Sequence, residues 1–129
     1  MTRRTAAAVR VLIADDHRLF AEALEAILAA ESRLDVVGRA ADGREAVDLA
    51  AELEPDVVLL DISMPVMDGF AAAAELASLE PRPAVLMLTG SNAAQDVDRA
   101  RRAGASGYVT KDAIAASLVD AILEAAEAR

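Results

Sequence analysis

Short apolar runs alternate along the chain with longer stretches in which apolar residues recur at helical spacing. The apolar runs hold four to six residues, which is too short for a helix and typical of buried strands. Each run is followed by one helical stretch. The pattern therefore predicts five strands, each followed by a helix, with strands at Val9–Ala14, Leu34–Arg39, Val57–Leu60, Ala84–Leu88 and Gly107–Thr110.

The ends of the predicted helices carry recognisable signals. Asp42 and Glu45 form a capping box at the start of the second helix, and Pro55 stops it. Gly104 stands where a helix often ends. The other signals are the start of the first helix at His17, a third helix over Asp68–Leu79, a cap pair of Asn92 and Gln95 for the fourth and a cap by Asp112 for the last.

The helical spacing also predicts which side chains face the core. The apolar stripes are Phe20, Leu24, Ile27 and Leu28 in the first helix, Ala46, Leu49, Ala50 and Leu53 in the second, Phe70, Ala73, Ala74 and Ala77 in the third, Ala93, Val97 and Ala100 in the fourth, and Ile114, Leu118, Ala121 and Ala125 in the last. Five strand–helix repeats at this spacing indicate an α/β protein with a parallel sheet covered by helices on both faces. We expect residues 1–8 to form a flexible tail and residues 9–129 to form one domain.

Composition narrows the function classes. The chain has 129 residues, 55% of them apolar, and a net charge of −9, which argues against binding of nucleic acid or an anionic membrane by this domain. It has no cysteine and therefore no disulfide or thiolate metal site. No apolar run approaches the roughly 20 residues of a membrane span. These features fit a cytoplasmic protein.

Polar side chains stand where the predicted strands end. Asp15 and Asp16 follow the first strand, Asp61 ends the third, Thr89 follows the fourth and Lys111 follows the fifth. Parallel strands bring these ends to one edge of the sheet, where ligands bind in such folds. Crowded carboxylates without thiols favour a hard cation such as Mg²⁺, which commonly serves a phosphate. One carboxylate is then free to act as a nucleophile toward a phosphoryl group.

Each of these residues also has an ordinary structural interpretation. Asp15 and Asp16 could cap the first helix, Thr89 could satisfy a loop amide, and Lys111 could be a surface residue. The remaining candidates are interpreted structurally: His17 as a surface residue of the first turn, Tyr108 as a half-buried aromatic, and Met64, Met67 and Met87 as packing residues.

Four motifs carry a resemblance to a known family. The sequence resembles the receiver domain of two-component response regulators, and residues 15–20 and 37–46 are most similar to the NarL/FixJ-type branch. The motifs are Ile13–His17, Asp56–Gly69, Val85–Thr89 and Gly104–Lys111.

The resemblance implies a flavodoxin-like (βα)5 fold, a doubly wound sheet with strand order 2-1-3-4-5. It implies that Asp61 accepts a phosphoryl group from a sensor histidine kinase and that Lys111 pairs with Asp61 or its phosphate. Thr89 and Tyr108 would change position as switch residues. The implied Mg²⁺ ligands are Asp15 (through water), Asp16, Asp61 and the backbone carbonyl of Ser63.

Two positions depart from the family pattern, and a third bears on dephosphorylation. Asp112 replaces the proline that commonly follows the lysine, often in a cis peptide, and Gly90 replaces a small residue that usually has a Cβ. Ser63 leaves room for water to reach the phosphoryl group, which we hypothesise permits self-dephosphorylation. An unchanged decay rate after Ser63→Arg would count against that hypothesis.

Two other functions compete with a phosphorylation switch. A degenerate receiver acting only as a protein-binding module would typically have lost one of the acidic, threonine or lysine residues, and all are present. An aspartate-nucleophile phosphatase would need an acid two residues past Asp61, where Ser63 stands. We therefore expect a phospho-acceptor rather than an enzyme proper, homodimerisation on phosphorylation, and a DNA-binding output domain outside these residues.

Overall fold

The computed structural model describes residues 8–90 and 94–128, without the side chains of residues 94–96 and 113–116. Strands and helices alternate throughout. The elements are β1 (Val9–Ala14), α1 (Arg18–Ala29), β2 (Leu34–Ala40), α2 (Gly43–Leu53), β3 (Val57–Asp61), α3 (Gly69–Leu76), β4 (Ala84–Thr89), α4 (Ala94–Arg102), β5 (Gly107–Thr110), a 3-10 helix (Lys111–Ala113) and α5 (Ile114–Ala128).

The five strands form one parallel sheet in the order β2-β1-β3-β4-β5, which confirms the predicted fold. Strands β1 and β3 each have a neighbour on both sides, whereas β5 pairs only with β4. The register sets Ala14 beside Leu60 and Asp61 beside Leu88, so neighbouring strands end at nearly the same level. The carboxyl ends of the strands therefore share one edge of the sheet.

The core lies in two layers, one on each face of the sheet. Successive strand residues point to opposite faces, so Ile13 packs with α1 and α5, whereas Leu12 packs with α2, α3 and α4. Burial of the apolar strand residues on both faces explains why they read as continuous apolar runs.

The ends of α2 are held by specific polar contacts. At its start the Glu45 N–H donates to the Asp42 carboxylate at 2.8 Å, which confirms Asp42 as the predicted cap. The Glu45 carboxylate accepts from the N–H of Ala41 at 2.7 Å, one residue before the cap, and not from that of Asp42 as in a regular capping box. At its end the Arg10 guanidinium donates to the carbonyls of Leu53 and Glu54. The contacts to the Glu45 N–H and to the Leu53 and Glu54 carbonyls satisfy backbone groups at the helix ends that have no partner within the helix.

Helix α3 is shorter than predicted. It ends at Leu76, because the N–H groups of Ser78 and Leu79 bond three residues back, to the carbonyls of Glu75 and Leu76, in the tighter 3-10 pattern. The predicted apolar stripe was also wrong in part. Ala74 is exposed, whereas the neighbouring Ala72 and Leu76 are buried with Phe70 and Ala73.

The turn after β5 also differs from the sequence prediction. Asp112 does not cap α5: it lies inside the 3-10 helix, and α5 begins two residues later at Ile114. Among the described residues a cis peptide bond occurs only between Glu80 and Pro81, so the Lys111–Asp112 bond is trans. The cap predicted from Asn92 and the Gln95 side chain, and the inward positions of Ala93 and Ile114, fall outside what is described.

Candidate functional site

Two buried carboxylates stand at the ends of the central strands. Asp15 directly follows β1, where its N–H bonds to the Ala40 carbonyl at 3.0 Å, and Asp61 is the last residue of β3. Their side chains are 0% and 5% exposed. The partly exposed Asp16 lies next to them. The central position of β1 and β3 in the sheet thus places both acids at the predicted edge.

The loop after β3 is packed closely against Asp61. The Gly69 N–H donates to the Ile62 carbonyl at 2.8 Å, and a Cβ at Gly69 would lie 2.3 Å from the Asp61 carbonyl oxygen. The Gly43 N–H donates to the Met67 carbonyl at 3.0 Å, and a Cβ at Gly43 would lie 2.1 Å from that oxygen. Glycine is therefore required at both positions by close backbone approach.

Lys111 supplies a positive charge to both acids. Its Nζ lies 3.3 Å from Asp61 Oδ1 and 3.5 Å from Asp15 Oδ2, and its side chain is 25% exposed. The same Nζ lies 4.5 Å from the centre of the Phe20 ring, on α1. The ammonium group is thus held between an aromatic face and two carboxylates.

The electrostatic balance at Asp61 explains the shift of its pKa. Burial raises the pKa of Asp61 above its ordinary value, and the nearby Asp15 raises it further. The Lys111 ammonium and the backbone N–H of Ser63 act in the opposite direction and lower the pKa. Additional positive charge at this site would therefore stabilise the ionised form of Asp61.

His17 is closer to the acids than the sequence interpretation allowed. Its side chain is 66% exposed, as expected for a surface residue, but Nδ1 lies 3.3 Å from Asp15 Oδ1, 3.4 Å from Asp16 Oδ1 and 3.9 Å from Asp61 Oδ2. The first turn bends His17 toward the acids because its N–H donates to the Asp15 carboxylate at 2.8 Å. Asp15 therefore does serve the loop before α1, in addition to facing the site.

An open cavity of about 360 Å³ lies over Asp61. It is lined by His17, Asp61, Ile62, Ser63, Thr89, Gly90 and Lys111. Thr89 is buried at the end of β4. Tyr108 lies elsewhere: it is 38% exposed on β5 and lines a separate cavity of about 350 Å³ between β5 and α4. The structure thus groups Asp61, Ser63, Thr89 and Lys111 around one cavity, whereas Asp15 and Asp16 line another cavity of about 300 Å³.

Two residues of this site, Phe20 and His17, were not predicted from the sequence. Phe20 was assigned only to the core stripe of α1, and His17 only to the surface. The signal that could have found His17 is its direct succession to two acids at a strand end.

The chemistry available here is that of a cation and phosphate site. Potential ligand atoms of Asp15, Asp16, His17 and Asp61 all lie within 4.8 Å of one another, which would allow one metal ion to contact several of them. Oxygen ligands of this kind suit Mg²⁺, which is typically held by one or two carboxylates together with phosphate. No described helix is long and apolar enough to cross a lipid bilayer.

A doubly wound parallel sheet with an acidic cluster and a lysine at its carboxyl edge defines a class of strand-end phosphate and metal sites. Comparison with known proteins identifies the family within that class. Residues 11–123 match the response regulator receiver domain, and the chain belongs to this family.

The relatives include proteins named as transcriptional regulators. The chain is 39% identical over 115 residues to the transcriptional regulatory protein LnrK of Bacillus subtilis, covering 89% of this chain and 52% of LnrK. It is 37% identical over 114 residues to the response regulator protein VraR of Staphylococcus aureus, covering 88% of this chain and 54% of VraR. The chain thus spans about half the length of the curated relatives it matches.

Solved receiver domains have the same fold. One is a signal receiver domain from Mycobacterium tuberculosis whose response regulator carries the name NarL, with a TM-score of 0.90, 38% identity and coverage of 95% of this chain and 99% of that one. Another is the response regulator domain of Thermotoga maritima CheB, with a TM-score of 0.86, 32% identity and coverage of 93% and 97%. The membership in the NarL-type branch predicted from the motifs is confirmed.

Proposed function

We propose that this chain, as a receiver domain over residues 9–129, is a phosphorylation switch in which Asp61 accepts a phosphoryl group from a sensor histidine kinase. The observation that carries the proposal is the position of the buried Asp61 carboxylate, 3.3 Å from Lys111 Nζ and open to a cavity. A nucleophilic carboxylate must be ionised and accessible, and Lys111 favours the ionised form. In the transfer, an Asp61 oxygen forms a bond to phosphorus while the bond from phosphorus to the donor nitrogen breaks.

The acids beside Asp61 support a requirement for Mg²⁺. Asp16 and Asp61, the Ser63 carbonyl, and Asp15 through water would hold the ion. When bound, Mg²⁺ supplies positive charge that offsets the charge developing on the phosphoryl oxygens. Lys111 offers a second positive charge from the opposite side.

The remaining residues connect phosphorylation to the surface. Thr89, at the cavity wall, would donate a hydrogen bond to a phosphoryl oxygen, and Tyr108 would change its side-chain position with it. Added charge would thus bias a two-state equilibrium that partners read. The relatives are about twice as long as this chain and include transcriptional regulators, which supports an output by DNA binding from a separate domain. Dimerisation on phosphorylation and a cytoplasmic location are further parts of this proposal.

The proposal is tested by intact mass after incubation with a small-molecule phosphodonor, with and without Mg²⁺. Wild-type protein is expected to gain one phosphoryl group that requires Mg²⁺, and Asp61→Asn is expected to gain none. Asp68→Asn is the matched control, because Asp68 lies in the same loop and its cap bond to the Ala71 N–H can be kept by asparagine. No gain in wild type would favour the degenerate protein-binding module instead.

The phosphorylated state is also expected to decay by hydrolysis within the domain. Ser63 lines the cavity and is small enough to let water approach. Ser63→Arg would obstruct that water, so the half-life of phosphorylated protein should lengthen by about tenfold, equivalent to a barrier increase of about 1.4 kcal/mol. The half-life is followed by loss of the added mass; an unchanged half-life would remove Ser63 from this role.

A further inference from the structure

The imidazole of His17 lies against the acidic cluster although it has no role in starting α1. His17 occupies the N-cap position of α1, yet its side chain makes no capping hydrogen bond. Its Nδ1 instead lies between three carboxylates, 3.3 Å, 3.4 Å and 3.9 Å from oxygens of Asp15, Asp16 and Asp61. The His17 side chain is thus largely exposed, but its Nδ1 faces the acids rather than the helix backbone.

A second observation concerns the buried oxygens that face this imidazole. Within the described part of the chain, two buried side-chain oxygens have no hydrogen-bond donor: Asp61 Oδ2, and Asp15 Oδ2, which lies 3.5 Å from Lys111 Nζ. A buried carboxylate oxygen without a donor is costly unless a cation joins it. Asp61 Oδ2 lies on the side of His17, whereas Asp61 Oδ1 faces Lys111. Of the two oxygens, Asp61 Oδ2 is therefore the one that lies toward His17.

The spacing of these atoms suits the inner shell of one metal ion. Metal–ligand bonds of about 2.0–2.2 Å place adjacent ligands of an octahedron about 3 Å apart and opposite ligands about 4.2 Å apart. Asp16 and Asp61 are the direct carboxylate ligands of the proposed function, and His17 Nδ1 lies 3.4 Å and 3.9 Å from their oxygens, within this range. A single ion could contact the nitrogen without a change in the course of the backbone.

We propose that His17 Nδ1 is a direct nitrogen ligand of the divalent ion at this site and shifts its preference from Mg²⁺ toward transition ions such as Mn²⁺. Imidazole suits transition metals, whereas Mg²⁺ prefers oxygen. The proposal rests on the metal site of the proposed function and extends it by naming one further ligand and its effect on selectivity. It concerns His17 in its neutral form, which metal binding requires.

The decisive measurement is pulsed electron paramagnetic resonance of Mn²⁺ bound to the protein after removal of any histidine tag. The chain contains one histidine, so an imidazole nitrogen coupled to bound Mn²⁺ can come only from His17. The nitrogen coupling is expected in wild type and absent in His17→Asn. Asparagine is the appropriate variant because it is a strong N-cap residue and should leave the start of α1 intact.

Calorimetric titration with Mg²⁺ and Mn²⁺ gives an independent readout. The ratio of the Mg²⁺ to the Mn²⁺ dissociation constant is expected to fall by at least about tenfold in His17→Asn, since even loss of a residue that only supports a metal ligand commonly costs about tenfold or more in affinity. Bound Mn²⁺ without nitrogen coupling and with an unchanged ratio would overturn the role of His17 while leaving the metal site of the proposed function intact. Tighter Mg²⁺ binding in His17→Asn without nitrogen coupling would make His17 a competing cation and also overturn it. Failure of wild type to bind either ion would overturn both proposals.

Discussion

The acidic half and the cationic half of the site are held by different means. Asp15 and Asp61 sit at the ends of β1 and β3, which have neighbours on both sides and close packing around their backbones. Lys111 follows β5, an edge strand with one neighbour, and its position depends on side-chain contacts with two carboxylates and the Phe20 ring. The fold therefore fixes the positions of Asp15 and Asp61, whereas the Lys111 side chain can move when the charge at the site changes.

The largest effect is expected where the backbone around the acidic half is filled. Gly69→Ala would place a Cβ 2.3 Å from the Asp61 carbonyl oxygen and should lower the free energy of unfolding by about 3 kcal/mol. Gly90→Ala is the control, because a Cβ there meets no atom within 4 Å; its effect should stay below about 0.5 kcal/mol. Urea unfolding followed by circular dichroism measures both, and equal effects would show that the acidic half is not fixed in this way.

The second effect concerns the burial of Asp61 and its repulsion by Asp15 within the acidic half. The folded-state pKa of Asp61 is raised, so its contribution to stability is full below the ordinary pKa and is lost as the pH rises through the folded-state value. In EDTA, Asp61→Asn should therefore raise the free energy of unfolding at pH 7 by on the order of 1 kcal/mol and much less at pH 4. Urea titrations at the two pH values test this. An equal gain in the free energy of unfolding at pH 7 and pH 4, or a loss at pH 7, would contradict the raised pKa of Asp61.

The smallest effect is expected in the cationic half. A double-mutant cycle with Phe20→Leu and Lys111→Met should give a coupling energy of about 0.5–1 kcal/mol in urea unfolding. The Arg99 guanidinium lies 4.0 Å from the Phe70 ring centre, between α4 and α3, and offers a comparison pair. Phe20→Leu should slow uptake of the phosphoryl group, whereas Arg99→Met should not. A coupling energy of zero between Phe20 and Lys111, or equally slow phosphoryl uptake in Phe20→Leu and Arg99→Met, would show that the Phe20 ring does not stabilise the Lys111 ammonium group.

The position of the acids could be predicted from the sequence because a strand end is set by the apolar pattern itself. Asp61 ends a run of buried residues, and a parallel sheet brings such ends together. The end of α3 could not be predicted in the same way. Residues 71–74 are all alanine, so the periodicity gives no contrast between a buried and an exposed face. Burial there is decided by neighbours that are distant in sequence.

The contacts of His17 and Phe20 were missed for a related reason. A helical pattern shows that Phe20 faces inward, but it does not show that the Phe20 ring contacts Lys111, which follows the edge strand β5. The same pattern marks His17 as exposed and carries no information on which way its ring turns. Side-chain direction at the start of a helix depends on local hydrogen bonds, such as that from the His17 N–H to Asp15.

The loop between β3 and α3 presents Val66 to solvent in a γ-turn with a φ of 69°, closed by the Met67 N–H and the Pro65 carbonyl at 2.7 Å. The Gly43 and Gly69 contacts anchor this loop on both sides of the turn. A loop anchored in this way should look the same before and after phosphorylation. A protein that binds only the surface around Val66 would therefore bind the phosphorylated and unphosphorylated forms equally. It could distinguish this regulator from others but could not detect its phosphorylation.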